Sequence, residues 1–192
     1  MKPMKHVCTL ALSTLCLFAG TASAHTGDHA TVTGFAGGLA HPLLGLDHLL
    51  AMIAVGLWAA QQGGRVLWAV PAAFVGAMGL GGGLAWSGIA LPHVETAIAL
   101  SVPVLGLLVA TRRQWAVTAG MALAAGFALF HGYAHGQDMP LSVSPALYGL
   151  GFVLATLGLH GVGIVGSLIG RHAMQAAGVG IAASGLVMLF GM

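Results

Sequence analysis

No lysine occurs beyond Lys5 and no cysteine beyond Cys16 in this chain of 192 residues. Charged side chains of either sign make up only 5% of it, against roughly 25% in a soluble domain. Too few polar groups remain to coat a water-facing surface, so an ordinary soluble globule is excluded. After the two N-terminal lysines the basic residues are Arg65, Arg112, Arg113 and Arg171, balanced by Asp28, Asp47, Glu95 and Asp138. So sparse a set of cations cannot form the basic face that phosphate backbones require, which excludes nucleic acid as a partner. With no lysine past the N-terminus, a phosphate loop would lack the side chain that reaches ATP phosphates, so ATP is excluded as well.

Hydrophobic residues make up 58% of the sequence. Residues 1–24 read as a cleavable signal peptide: Lys2 and Lys5 form a positive n-region, Val7 to Gly20 an apolar stretch, and Ala22-Ser23-Ala24 a small-x-small cleavage site. The competing reading is an uncleaved first membrane helix. Cys8 and Cys16 both lie in this leader, so its removal leaves neither a disulfide nor a thiolate ligand. Residues 25–37 follow as a periplasmic N-terminal segment, and 38–192 as the membrane domain.

A bilayer core of ~30 Å needs about 20 apolar residues of helix. Six stretches qualify, roughly 38–61, 66–90, 94–111, 114–135, 144–169 and 173–191. The expected fold is therefore all-α, a polytopic membrane protein with six transmembrane helices after a cleavable signal peptide. With the mature N-terminus periplasmic, every arginine falls on the inner side, as the positive-inside rule asks of a multi-pass protein of the bacterial inner membrane. Spans one to three and four to six then run in opposite senses, the arrangement of an inverted repeat. Glycine is abundant (31 residues), which suits close helix packing in lipid. Gly161-x-Gly163-x-x-Gly166 matches a dinucleotide-binding pattern, but it lies inside a span with no strand before it, so it reads as helix packing.

Two motifs carry chemistry. In His41-Pro42-Leu43-Leu44-Gly45-Leu46-Asp47-His48 the histidines are seven residues apart, near one face of a continuous helix, with Pro42 fitting a first helical turn. A carboxylate at bilayer depth costs ~2.5–3.5 kcal/mol on insertion scales, so Asp47 calls for a cation, a histidine or water beside it. Its bland alternative is an Asp–His hydrogen bond pinning two helices. In the second motif, His131, His135 and Asp138 stand at i, i+4 and i+7 on one helix face. Imidazole and carboxylate together suit divalent first-row metals; the bland alternative is a histidine pair solvating a helix end. Weaker candidates are Glu95 at an outer funnel or interface, His160 deep in the fifth span, and His25 and His29 on the mature N-terminal tail.

In combination, His41-x5-Asp47-His48 and Phe130-His131-Gly132-x-Ala134-His135-Gly136 resemble the HupE/UreJ family of nickel permeases, which is linked to hydrogenase and urease maturation. The likeness extends to the leader, the span count and the glycine-rich helices. It implies that His41, Asp47, His48, His131 and His135 are required for transport, and that hydrogenase or urease maturation machinery is a partner. The family's second motif ends in Glu where this chain has Asp138, a side chain shorter by one methylene.

The leading expectation is thus transport of a divalent transition-metal ion, nickel first and cobalt second, through the lipid bilayer, with no prosthetic group and no enzymatic activity. Two rivals remain. A histidine-ligated membrane metalloenzyme would want several His-x3-His boxes on the cytoplasmic face, and this chain has one, on the outer side. An accessory subunit would bind metal without moving it.

Overall fold

The computed structural model describes residues 34–191; the leader and the tail carrying His25 and His29 lie outside the described residues. Among the described residues seven α-helices follow one another: α1 (Gly34–Leu44), α2 (Leu46–Gln62), α3 (Val66–Trp86), α4 (Val94–Thr111), α5 (Val117–Asp138), α6 (Pro145–Gly166) and α7 (Arg171–Phe190). A short 3-10 turn, Ser167–Ile169, extends α6. Helices α3 to α7 are each long and apolar enough to cross a membrane, and α1 with α2 passes the same test only as a pair, a broken span or a re-entrant loop, the sixth when counted as one. The chain is an all-α, multi-pass membrane protein.

The first span departs from the rod that its hydropathy suggests. It begins at Gly34 and bends by 81° between α1 and α2. Two residues explain the break. Pro42 has no N–H for the carbonyl of Gly38, and it lies in the last turn of α1 rather than in a first turn. Gly45 then adopts extended backbone (φ −87°, ψ 115°), and its carbonyl accepts the Leu49 N–H at 2.9 Å to start α2. The other five spans fall close to their expected positions, because long apolar runs with polar or glycine-rich breaks leave few alternatives in lipid.

Glycines set how closely the helices approach. Gly132 of α5 lies against the Met78 carbonyl of α3, and Gly81 of α3 against the Leu129 carbonyl of α5. Gly106 of α4 and Gly178 of α7 are similarly opposed, as are Gly56 of α2 and Gly163 of α6. A methyl group at any of these would overlap the opposing main chain. Without a hydrophobic drive between helices in lipid, such close approach supplies the dispersion contacts that hold them. Gly163 confirms the packing role read for its glycine repeat, while Gly161 of the same repeat faces open space.

Counting α1 and α2 as one, the closest pairs are the first span with the fifth, the second with the fourth and the third with the sixth. Exchanging the first three spans for the last three leaves this scheme unchanged, as an inverted repeat requires. Trp58, Met52 and Val55 of α2, Val70 and Phe74 of α3, and Val102, Leu105 and Val109 of α4 form a fully buried centre. Most of the polar residues gather at its two ends. At one end lie Arg65, Arg112, Arg113 and Arg171 with a set of glutamines; at the other lie the histidine motifs.

Candidate metal site

The break at Gly45 determines what the first motif can do. Asp47 occupies the first turn of α2, where its Oδ1 accepts the backbone N–H of His48 at 2.7 Å. The same oxygen lies 2.6 Å from His48 Nδ1. Both side chains fold back over Gly45, where a Cβ would stand 2.9 Å from the Asp47 carboxylate and 3.1 Å from the His48 ring. Glycine at this position leaves room for both side chains to fold back over the break. His48 is buried, and its Nε2 has no hydrogen-bond partner. His41 projects from the last turn of α1, its ring 6.5 Å from that of His48. The two histidines are neighbours as the sequence suggested, but across a bend and not along one helix face.

The second motif is as its spacing predicts. Helix α5 continues through Asp138, so His131, His135 and Asp138 share one face. That face meets the first motif. Ring centroids are 4.6 Å apart for His48 and His131, 4.3 Å for His48 and His135, and 4.5 Å for His41 and His135, all edge to face. Asp138 Oδ2 lies 3.7 Å from His41 Nε2. Helices α2 and α5 are not among the closely packed pairs; their imidazoles span the gap between them. His48, His131 and His135 are buried, while His41 and Asp138 reach partial solvent.

The rings touch one another and do not splay around a point. Among the described residues no three His, Asp or Glu side chains are arranged to hold one ion as they stand. To hold a cation, the rings must turn so that their nitrogens converge. The chemistry fits such a use: imidazole nitrogens flanked by two carboxylates, with no cysteine among the described residues, make a nitrogen/oxygen donor set for a borderline divalent metal.

The weaker candidates separate. His160 is buried on α6, with neither nitrogen hydrogen-bonded, and packs on Phe74 at 5.2 Å. Phe74 in turn lies 6.0 Å from His131, so a phenyl ring stands between His160 and the cluster. Glu95 is exposed in the first turn of α4, at the same end of the bundle. His25 and His29 lie outside the described residues.

Several residues at the site were not evident from sequence. Phe152 packs 3.8 Å from His135, and the Tyr148 ring lies 6.1 Å from His41, so α6 supplies an aromatic wall. Ser101 of α4 is fully buried, with its Oγ 2.9 Å from His131 Nε2. Its only sequence signal is its position as the single polar residue between Thr96 and Thr111.

Fold and site together define a class: a polytopic helical membrane protein in which a broken span presents histidines to those of another span. The chain matches the family described as HupE / UreJ protein over residues 13–188. It is 48% identical over 160 residues to Protein HupE of Rhizobium leguminosarum bv. viciae, an alignment covering 83% of this chain and 81% of that protein. The chain belongs to the HupE/UreJ family. No solved structure matches it.

Proposed function

We propose that this protein is a permease carrying a divalent transition-metal ion, nickel first and cobalt second, across the bacterial inner membrane. The observation supporting it is the meeting of four imidazoles from two spans, with centroids of neighbouring rings 4.3–4.6 Å apart. Two carboxylates, Asp47 and Asp138, each lie beside one of these rings. Family membership agrees with this reading. In this reading the arginine end faces the cytoplasm, and the ion arrives at the partly exposed His41–Asp138 pair. It exchanges water for His48, His131 and His135, with Asp47 orienting His48, and leaves towards the arginine end. Ligands of this kind are strong enough to replace water and weak enough to release. The membrane potential drives a divalent cation inward by about 4.6 kcal/mol per 100 mV, twice the value for a single charge. The metalloenzyme reading is the weaker one, because it would want several His-x3-His boxes and this chain has one. Hydrogenase or urease maturation machinery is the acceptor that the family's associations suggest.

Vesicles containing only the purified protein should accumulate radioactive nickel, with cobalt competing better than magnesium or calcium. If such vesicles bind nickel at their surface but show no protein-dependent accumulation, the protein is an accessory metal-binding subunit.

A further inference from the structure

Two buried histidines of the cluster, His48 and His131, are each hydrogen-bonded through one nitrogen only, and the partners determine which nitrogen carries the proton. For His48 the partner is a carboxylate, which can only accept. Nδ1 is therefore the donor to Asp47, at 2.6 Å, and the buried Nε2 keeps its lone pair.

For His131 the partner is a hydroxyl, which could give or take. Ser101 Oγ has a second neighbour, the carbonyl oxygen of Ile98 at 2.6 Å, and only one proton. Were that proton given to His131, Oγ and the carbonyl would face each other lone pair to lone pair at that distance. The proton therefore goes to Ile98, and Oγ accepts from His131 Nε2–H at 2.9 Å. The buried Nδ1 of His131, which has no hydrogen-bond partner, is left with the lone pair.

We propose that Ser101 is a positioning residue that fixes His131 in the Nε2–H tautomer, so that the cation is received by His131 through Nδ1 and by His48 through Nε2. Asp47 and Ser101 thus do the same work on opposite nitrogens of two facing rings. The carboxylate does it from within the motif, and the serine from α4. Ile98, Ser101 and His131 are all buried, so no bulk water competes for these bonds. Ligating histidines in proteins are commonly held through their second nitrogen in this way, and loss of that partner typically costs 10–100-fold in metal affinity. The inference takes its ligand from the permease reading above.

The test compares Ser101→Thr with Ser101→Val, two side chains of nearly equal shape that differ in the hydroxyl. In the full-length protein, metal-free at a pH of about 8, nitrogen-15 spectra of the imidazoles distinguish a bare nitrogen from an N–H. His131 should show a bare Nδ1 and a protonated Nε2 in the native protein and in Ser101→Thr, and a mixture of tautomers in Ser101→Val. Nickel affinity should stay within about threefold in the threonine variant and fall ~10-fold or more in the valine variant. A protonated Nδ1 in the native protein overturns the proposal. So does equal nickel affinity in the two variants, whether both are intact or both weakened, since packing alone would then explain it. The metal-free spectrum does not depend on transport. Failure of vesicles to accumulate nickel would therefore remove the permease reading and leave the tautomer assignment standing.

Discussion

At the arginine end, the amide N–H groups of Gln61, Gln62 and Gln175 donate to the main-chain carbonyls of Val109, Arg113 and Ala110, and the Trp115 N–H donates to Gln62 Oε1. At the histidine end, the buried rings of His48 and His131 each use one nitrogen for a neighbour and keep the other unengaged. The same helices, α2 and α4, run through both ends. One end joins backbones through side chains whose hydrogen bonds are mostly satisfied, which is how a membrane bundle fixes its shape. The other leaves lone pairs unused in a buried setting, an arrangement that lowers stability and is retained where a ligand needs it.

Three substitutions bear on that contrast, in falling order of effect. Replacing a ring at the histidine end should remove function and spare the fold: His48→Ala is expected to lower radioactive nickel uptake at least ~100-fold, the scale of an essential group, with unchanged protein in the membrane fraction. Uptake within threefold of the native level would mean the cluster is structural. Between the ends, Gly132→Ala pushes a methyl into the Met78 carbonyl, and overpacking of this kind costs about 2 kcal/mol. Gly126→Ala, where nothing lies within 4 Å, serves as the control. Thermal unfolding in detergent should separate the two variants by several degrees, and equal melting would show that α3 and α5 are not held by close backbone approach. At the arginine end, Gln62→Ala removes two exposed hydrogen bonds, worth about 1 kcal/mol together at such a site. A small drop in melting temperature with uptake per folded molecule within twofold is expected. A large loss of uptake with normal melting would move this end from scaffold to transport machinery.

Much of this was legible in the sequence, and for physical reasons. Apolar runs such as 66–90 had to become spans because lipid offers no other partner for their backbone groups. His131, His135 and Asp138 were found together because their relation lies within one helix, and helical spacing is a local property. The 81° turn at Gly45 was not found, since hydropathy measures how apolar a segment is and not where its axis points. For the same reason the sequence alone does not show that Pro42, a residue suited to a first helical turn, lies at the end of a helix. Ser101 went unnoticed because its importance comes from a ring thirty residues later in the chain, which only tertiary packing brings within 2.9 Å.

The turn at Gly45 also has an electrical consequence. A helix carries a partial negative pole at its C-terminus and a positive one at its N-terminus, each about half an elementary charge. A straight first span would have carried both poles out to the two water phases. Broken at Gly45, it ends α1 beside His41 and begins α2 beside Asp47, so one pole of each sign faces the interior. The negative pole favours an arriving cation, and the positive one lies beside the Asp47 carboxylate. The main chain itself thus places partial charges of both signs beside the histidine motif, in a sequence with only four acidic residues.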